Sequence, residues 1–282
     1  MEFLHAAGAH AFLQYALAAG LLASVGCGVM GTCVVVRRIG FLAGGIAHAV
    51  LGGMGAAWYF GAPPMAGAVI AALVAALIIG WVSLRRGEHE DVLVGAVWSV
   101  GMAIGVLFIA KTPGYGADLM NYLFGNILLV TPRSLALMAG LDAVIVAVVF
   151  LAYKPLLAVM FDEEYARLRG VPTTFFHLLL LCLVALTIVL LLPVVGLILV
   201  LALLTLPAAI AAHMARSVAR MMLVASILGF VFTTGGLALA YEPDLPPGAT
   251  IVLIAGFAYV VTVAVTALRR RRHAARGACP GR

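Results

Sequence analysis

The sequence predicts an all-α integral membrane protein with about nine transmembrane helices. Of its 282 residues, 65% are apolar and only 10% are charged, and 31 are glycine. Soluble domains carry about 25% charged residues. Because so few polar side chains could not cover a water-soluble globule, most apolar side chains must face lipid. This composition excludes a soluble protein of one or two domains.

Nine apolar segments are close to the length of about 20 residues that crosses a bilayer. They are residues 11–36, 41–60, 65–84, 92–110, 134–153, 177–192, 194–212, 221–240 and 250–268. Glycine and proline mark the breaks at 61–64, 112–114 and 243–248. No basic residue precedes the first segment, and Arg37 and Arg38 follow it. We therefore expect a retained span and not a cleaved signal peptide.

The basic residues predict the topology. The chain has 17 Lys and Arg against 11 Asp and Glu, a net charge of +6. They cluster between apolar runs, a pattern that favours cytoplasmic loops over a nucleic-acid-binding surface. If 177–212 forms two spans broken near Pro193 and Gly196, only Lys111 and Arg133 fall outside. The positive-inside rule then predicts nine spans, with the N-terminus outside and the C-terminus inside.

The chain is predicted to form one transmembrane domain, residues 1–268, followed by a basic cytoplasmic tail, 269–282. Every loop is short, and no GxxxxGK[ST] motif occurs. The chain is thus not expected to hydrolyse a nucleotide itself. Its four cysteines form no CxxC pair, and we expect them to be reduced.

The longest charged stretch lies between the fifth and sixth spans. Acidic residues at 162–164 precede basic residues at 167 and 169 and a glycine at 170, a pattern typical of a short capped helix. On charge alone, this stretch can be a solvated connector. However, the spacing Glu164-Tyr165-Ala166-x-x-x-Gly170 resembles the E-A-A-x-x-x-G coupling helix of ABC import permeases. Small Ala166 would permit close approach to an ATPase, and Gly170 would let the chain turn back.

The resemblance extends over almost every span. The chain resembles the permease subunit of the ABC family that imports zinc, manganese or iron(II). The matching segments stand in family order: 37–51, 118–126, 161–171, 195–211 and 244–253. The resemblance implies an ABC importer type II-like permease, dimeric or pseudo-dimeric, in the bacterial cytoplasmic membrane. It also implies ATPase subunits below, a periplasmic or lipid-anchored solute-binding protein above, and a coupling helix at about 161–171. That helix includes Asp162, Glu163, Glu164, Ala166 and Gly170.

His48 is the first candidate metal ligand, because it is an ionisable residue within an apolar span. Many family members place an acid four residues before this histidine, on the same helix face. Here Gly44 stands in place of the acid. A lone imidazole weakly favours Zn²⁺ over Mn²⁺ and Fe²⁺. The alternative role for His48 is a hydrogen bond to a neighbouring helix.

Two further residues are candidate metal ligands. Asp142 is the acid nearest the middle of a span, and it would replace the charge missing at Gly44 if the second and fifth spans are neighbours. A structural hydrogen bond is the alternative. His213, at the cytoplasmic end of the seventh span, is either an exit-side ligand or an interfacial residue. Acidic residues predicted outside, Asp118, Glu242 and Asp244, would attract cations or dock the binding protein.

Three other functions stay open at this point. A permease for a metal chelate or vitamin would need a wide polar cavity, and these spans contain few polar side chains. A secondary metal transporter would be expected to show paired intramembrane carboxylates or broken inverted repeats. A membrane scaffold would use Asp142 and His48 for packing alone. An adjacent ATPase gene would favour the ABC transporter.

Overall fold

The computed structural model describes residues 10–84, 90–112, 125, 127–241, 243 and 245–277, without the side chains of residues 90 and 270–277. Across these residues, the regular elements are helices. They are α1 (Ala11–Arg37), α2 (Gly40–Tyr59), α3 (Pro64–Ser83), α4 (Glu90–Lys111), α5 (Pro132–Leu151), α6 (Tyr153–Phe161), α7 (Glu163–Leu168), α8 (Thr173–Val195), α9 (Leu197–Met214), α10 (Val218–Tyr241) and α11 (Pro247–Gly277). A short 3₁₀ turn, Ile127–Leu129, precedes α5.

Nine of the described helices are long and apolar enough to span a membrane, namely all except α6 and α7. This confirms the predicted all-α membrane fold, and each predicted segment coincides for most of its length with one of the nine. The orientation of the termini stays a prediction. The last helix continues without a break past Arg269 to Gly277, so the predicted tail begins as an extension of the ninth span.

The predicted break inside 177–212 falls at Gly196 and not at Pro193. Pro193 lies within α8, near its C-terminal end, whereas Gly196 separates α8 from α9 with φ 79° and ψ 160°. This backbone conformation is essentially restricted to glycine. The sixth span is therefore longer than expected, beginning at Thr173 and ending at Val195.

The first helix, α1, lies at the centre of the molecule. It packs extensively against α9 and α10 and also contacts α5, α8 and α6. A second group forms where α2 packs against α3 and α4, and α8 joins the groups by contacting both α1 and α3. By contrast, α4 and α11 expose most of their apolar side chains. Such faces suit lipid or another membrane helix.

Close packing of α2 on α4 depends on glycine. A Cβ atom on Gly52 would lie 2.6 Å from the carbonyl oxygen of Gly101. The two backbones therefore approach in a way that a larger side chain would prevent, as small residues allow in membrane helices. This contact fixes the part of α4 that faces His48.

Candidate metal path and coupling surface

His48 lies in the middle of α2, where its side chain is half-buried. Its Nδ1 atom lies 2.8 Å from the carbonyl oxygen of Gly44. Because a carbonyl oxygen only accepts, Nδ1 carries the proton and donates it to this bond. In a neutral imidazole, Nε2 then keeps the lone pair that binds a metal ion. The hydrogen bond thus orients the ring for ligation, as partners of metal-binding histidines commonly do.

Trp98 of α4 covers one face of the His48 ring. The two rings are stacked, with centroids 3.9 Å apart and planes 20° from parallel. The indole Nε1 of Trp98 donates a hydrogen bond to the Sδ atom of Met102, at 3.1 Å. Trp98 was not predicted from the sequence, because no local pattern indicates that the second and fourth spans are neighbours.

The missing acid at position 44 leaves space next to this stack. A Cβ atom built on Gly44 would lie 3.7 Å from Cζ3 of Trp98, an ordinary van der Waals distance. A side chain at this position would therefore enter the same small region as His48 and Trp98. Within the described residues, no group of three or more His, Cys, Asp or Glu side chains is placed to hold a metal ion.

Asp142 lies on a different interface from His48. Its side chain belongs to α5, is 4% exposed, and has no hydrogen-bond partner at either carboxylate oxygen within the described residues. It contacts Gly26 of α1, where a Cβ atom would collide with Oδ1. The condition for this role, contact between the second and fifth spans, is not seen among the main packing contacts of the described residues, where α5 packs mainly on α1 and α8. Within one chain, Asp142 thus lies on a different helix interface from Gly44, and its role as a metal ligand stays a prediction.

The other predicted site residues are dispersed. His213 lies in the last turn of α9 with an exposed side chain. Asp118, Glu242 and Asp244 lie outside the described residues, so their expected roles stay predictions. Cys27, Cys33 and Cys182 form no disulfide among the described residues; Cys279 lies outside them, and the reduced state of all four stays a prediction.

The coupling segment, residues 161–171, forms a shorter helix than predicted. Asp162 caps α7, its side chain accepting a hydrogen bond of 2.9 Å from the amide of Tyr165. This is the usual role of Asp at an N-cap. Gly170 follows the helix with a φ of 78°, in the left-handed region that favours glycine. Both residues therefore shape the segment as the sequence indicated.

The two faces of α7 differ in a way that the sequence did not reveal. Ala166 is fully buried within the chain, so its small side chain permits close packing of α7 on this protein and is not available for docking. Glu164, Tyr165 and Leu168 are exposed, and Leu168 retains 87% of its accessible surface. A partner would therefore meet an apolar leucine and tyrosine beside a carboxylate.

Glu163 points into the protein and pairs with Arg37, the last residue of α1. Their Oε2 and Nη2 atoms are 2.8 Å apart. Nη2 also lies 3.2 Å from Nδ1 of His177 in α8, and Nη1 donates to the carbonyl oxygen of Val159 in α6. Arg37 thus joins four helices at the predicted cytoplasmic side. From the sequence, Arg37 indicated topology and began a family-matching segment, and Glu163 was expected to belong to the docking helix.

Comparison with known proteins identifies the class. Residues 9–266 match the ABC 3 transport family, so the chain belongs to this family. It is 47% identical to an uncharacterized membrane protein of Synechocystis sp., over 90% of each chain. It is 35% identical to the manganese transport system membrane protein MntC of Halalkalibacterium halodurans, over 87% of this chain and 84% of that one. The solved structure of PsaBC from Streptococcus pneumoniae in complex with Fab matches with a TM-score of 0.84 and 31% identity, over 93% of this chain and 94% of that one.

These similarities define the chain more closely. It is the multi-pass membrane permease subunit of an ABC transporter for metal, located in the bacterial cytoplasmic membrane. It is a transport protein and not an enzyme, and ATP hydrolysis belongs to a separate ATPase subunit. The resemblance drawn from the sequence is thereby confirmed.

Proposed function

We propose that this permease imports a divalent transition metal along a path that passes His48, and that zinc is the preferred metal. The observation that carries the choice of metal is the hydrogen bond of His48 Nδ1 to Gly44, which leaves Nε2 as a nitrogen ligand with no carboxylate at position 44 beside it. Nitrogen ligands suit Zn²⁺, whereas carboxylate and water suit Mn²⁺. A lone imidazole also binds weakly enough to release the ion, as transport requires.

Manganese is the second candidate, and it is favoured by a different observation. The MntC protein of Halalkalibacterium halodurans, 35% identical to this chain, is named for manganese transport. Against manganese stands Gly44, which occupies the position where many family members carry an acid. Iron(II), with its intermediate preference for nitrogen ligands, comes after these two.

The proposed assembly contains two permease chains, two ATPase subunits below and a solute-binding protein above. Its support is the family membership together with the open faces of the chain. Exposed apolar side chains on α4 and α11 suit a second membrane helix or lipid. The exposed Glu164, Tyr165 and Leu168 suit a cleft on the ATPase. In this proposal the coupling segment docks through these three side chains, while Asp162 and Gly170 shape it.

Two of the alternative functions fit the described structure less well. An open groove of about 500 Å³ between α2, α3 and α4 is lined by residues such as Gly53, Val74 and Val100, which offer no polar side chains to a chelate or vitamin. A transporter driven by an ion gradient would be expected to use paired carboxylates in the membrane. Asp142 has no such partner within the described residues.

Uptake by the reconstituted transporter tests the proposed function. The permease, its ATPase and its binding protein would be placed in liposomes, and ATP-dependent uptake of radioactive zinc, manganese and iron(II) measured. We expect zinc uptake to exceed manganese uptake, and His48→Ala to lower it by about tenfold or more, the effect typical of disrupted metal sites. The matched control is His10→Ala, which removes an exposed histidine that is not a candidate ligand and should leave uptake unchanged.

The outcomes separate the parts of the proposal. Absence of ATP-dependent uptake of all three metals would overturn the function. Preferential manganese uptake would overturn the choice of zinc. Unchanged uptake by His48→Ala would remove His48 from the path, and a matching loss with Asp142→Asn would instead assign a role to Asp142.

The docking surface has its own test. Leu168→Asp places a charge on an almost fully exposed leucine, so we expect it to weaken association with the ATPase without lowering the stability of the permease. Co-purification and thermal unfolding would be measured together. Full association of this variant would contradict docking through α7.

A further inference from the structure

We infer that Arg37 is a positioning residue that transmits movement of the coupling segment to the metal path, by tying α7 to the turn between α1 and α2. The inference deepens the proposed function and rests on it, because it assumes that residues 161–171 meet the ATPase. It explains how a displacement of α7 is transmitted to His48. This residue lies on α2, and α7 packs on α6 and α8 instead.

The first step is the junction itself. α7 packs on α6 and α8. Its recorded polar link to α1, within the described residues, is the ion pair between Glu163 and Arg37. The same guanidinium reaches His177 of α8 and the carbonyl of Val159 of α6. A planar guanidinium with several fixed donors holds partners in defined directions, which a flexible ammonium does not.

The second step is the burial of this pair. The side chains of Arg37 and Glu163 are only 15% and 17% exposed. Breaking a partly buried pair leaves an uncompensated charge, so the two groups are strongly held together. A displacement of α7 therefore moves the end of α1 with it. The next residue, Arg38, is exposed, carries the same charge and has no recorded ion pair within the described part of the chain.

The third step is the turn from α1 into α2. Arg38 adopts a left-handed conformation with φ 60°, and the amide of Ile39 donates to the carbonyl of Val34 at 3.0 Å. Ile39 is buried, and α2 begins at the next residue. This turn has little freedom, because its amides bond back to the last turn of α1. Moving Arg37 therefore moves the start of α2.

The fourth step is the distance along α2 from its first residue to His48. His48 lies eight residues after Gly40 in one continuous helix, about 12 Å along its axis at 1.5 Å per residue. A rigid helix of this length carries a shift of its first turn to the His48–Trp98 stack. The route runs from Glu163 through Arg37 and the turn to His48, with α1 packed against most of the remaining spans.

The test compares Arg37→Gln with Arg38→Gln in the reconstituted transporter. The two substitutions are chemically identical and one position apart. Three quantities would be measured: association of the ATPase, the rate of ATP hydrolysis, and metal ions moved per ATP hydrolysed. We expect Arg37→Gln and Glu163→Gln to keep association and hydrolysis but to lower the transport ratio several-fold. Arg38→Gln should match the unmodified protein.

If Arg37→Gln folds poorly, exchanging the two charges of the ion pair provides a second test. Arg37→Glu combined with Glu163→Arg restores opposite charges, so the double variant should recover part of the transport ratio lost in either single variant. An unchanged ratio in Arg37→Gln would overturn the inference. So would loss of ATPase association instead of coupling, since the cluster would then only build the docking surface. Failure of the unmodified transporter to move metal would instead refute the proposed function.

Discussion

At the scale of the residue, the candidate metal path is defined by how His48 is held. One ring nitrogen is bonded to the backbone of its own helix, and one ring face is covered by Trp98. What remains for a metal ion is the lone pair of Nε2 in a neutral ring. A single well-oriented ligand fits an ion that must bind and leave again.

Position 44 offers a direct test of this chemistry. A Cβ atom at position 44 meets only an ordinary van der Waals contact, so we expect Gly44→Asp to fold and to place a carboxylate one helical turn from His48. The added oxygen ligand should improve manganese use by about tenfold or more, by analogy with other metal-site partners. The measurement is the manganese concentration that gives half-maximal ATP-dependent uptake.

The matched control for this prediction is Gly44→Asn, which has nearly the same size and no charge. An equal gain from the two substitutions would mean that packing, and not ligation, is responsible. A gain that persists in the double variant Gly44→Asp with His48→Ala would show that the carboxylate acts without the imidazole.

At the scale of the element, the decisive feature is the separation of α8 from α9. Gly196 has a backbone conformation that other residues essentially do not adopt, and the backbone at Gly125 packs directly against it. Pro193 is accommodated within the last turns of α8 with an exposed ring. The break in the long apolar stretch therefore comes from the backbone conformation of Gly196. It does not come from the backbone N–H that Pro193 lacks.

We expect Gly196→Ala to lower the stability of the permease, by about 1–3 kcal/mol for a residue forced into this region. Pro193→Ala is the comparison, since alanine suits a helix and the break does not depend on the proline. Thermal unfolding of both variants in the same detergent would decide. Equal midpoints for Gly196→Ala and the unmodified protein would contradict the prediction.

At the scale of the whole molecule, the nine spans give the predicted orientation a simple test. Arg133 lies in the first turn of α5 and Arg38 follows α1, and both side chains are exposed. An impermeant maleimide should label Arg133→Cys in intact bacterial cells and Arg38→Cys only after permeabilisation. Unmodified protein provides the background, because it retains Cys182 and Cys279 in addition to the buried Cys27 and Cys33. The opposite labelling pattern would invert the topology.

Properties that depend on a short stretch of chain were predictable from the sequence. Span lengths follow from runs of apolar residues, and the short helix at 163–168 follows from Asp162 before it and Gly170 after it. His48 stood out because an ionisable group in an apolar span is rare. Each of these signals lies within about 20 residues, the length of one membrane crossing.

Only the tertiary structure decided which spans meet. Trp98 covers His48, Asp142 faces Gly26 instead of the second span, and Arg37 joins Glu163 more than one hundred residues away. In a soluble helix, an apolar stripe indicates the packed face. Membrane helices are apolar on all sides, so their sequences mark that they span the bilayer but not which neighbour each face contacts. Charge and length thus determined the nine spans, whereas close packing at small residues determined the candidate path and its link to the coupling segment.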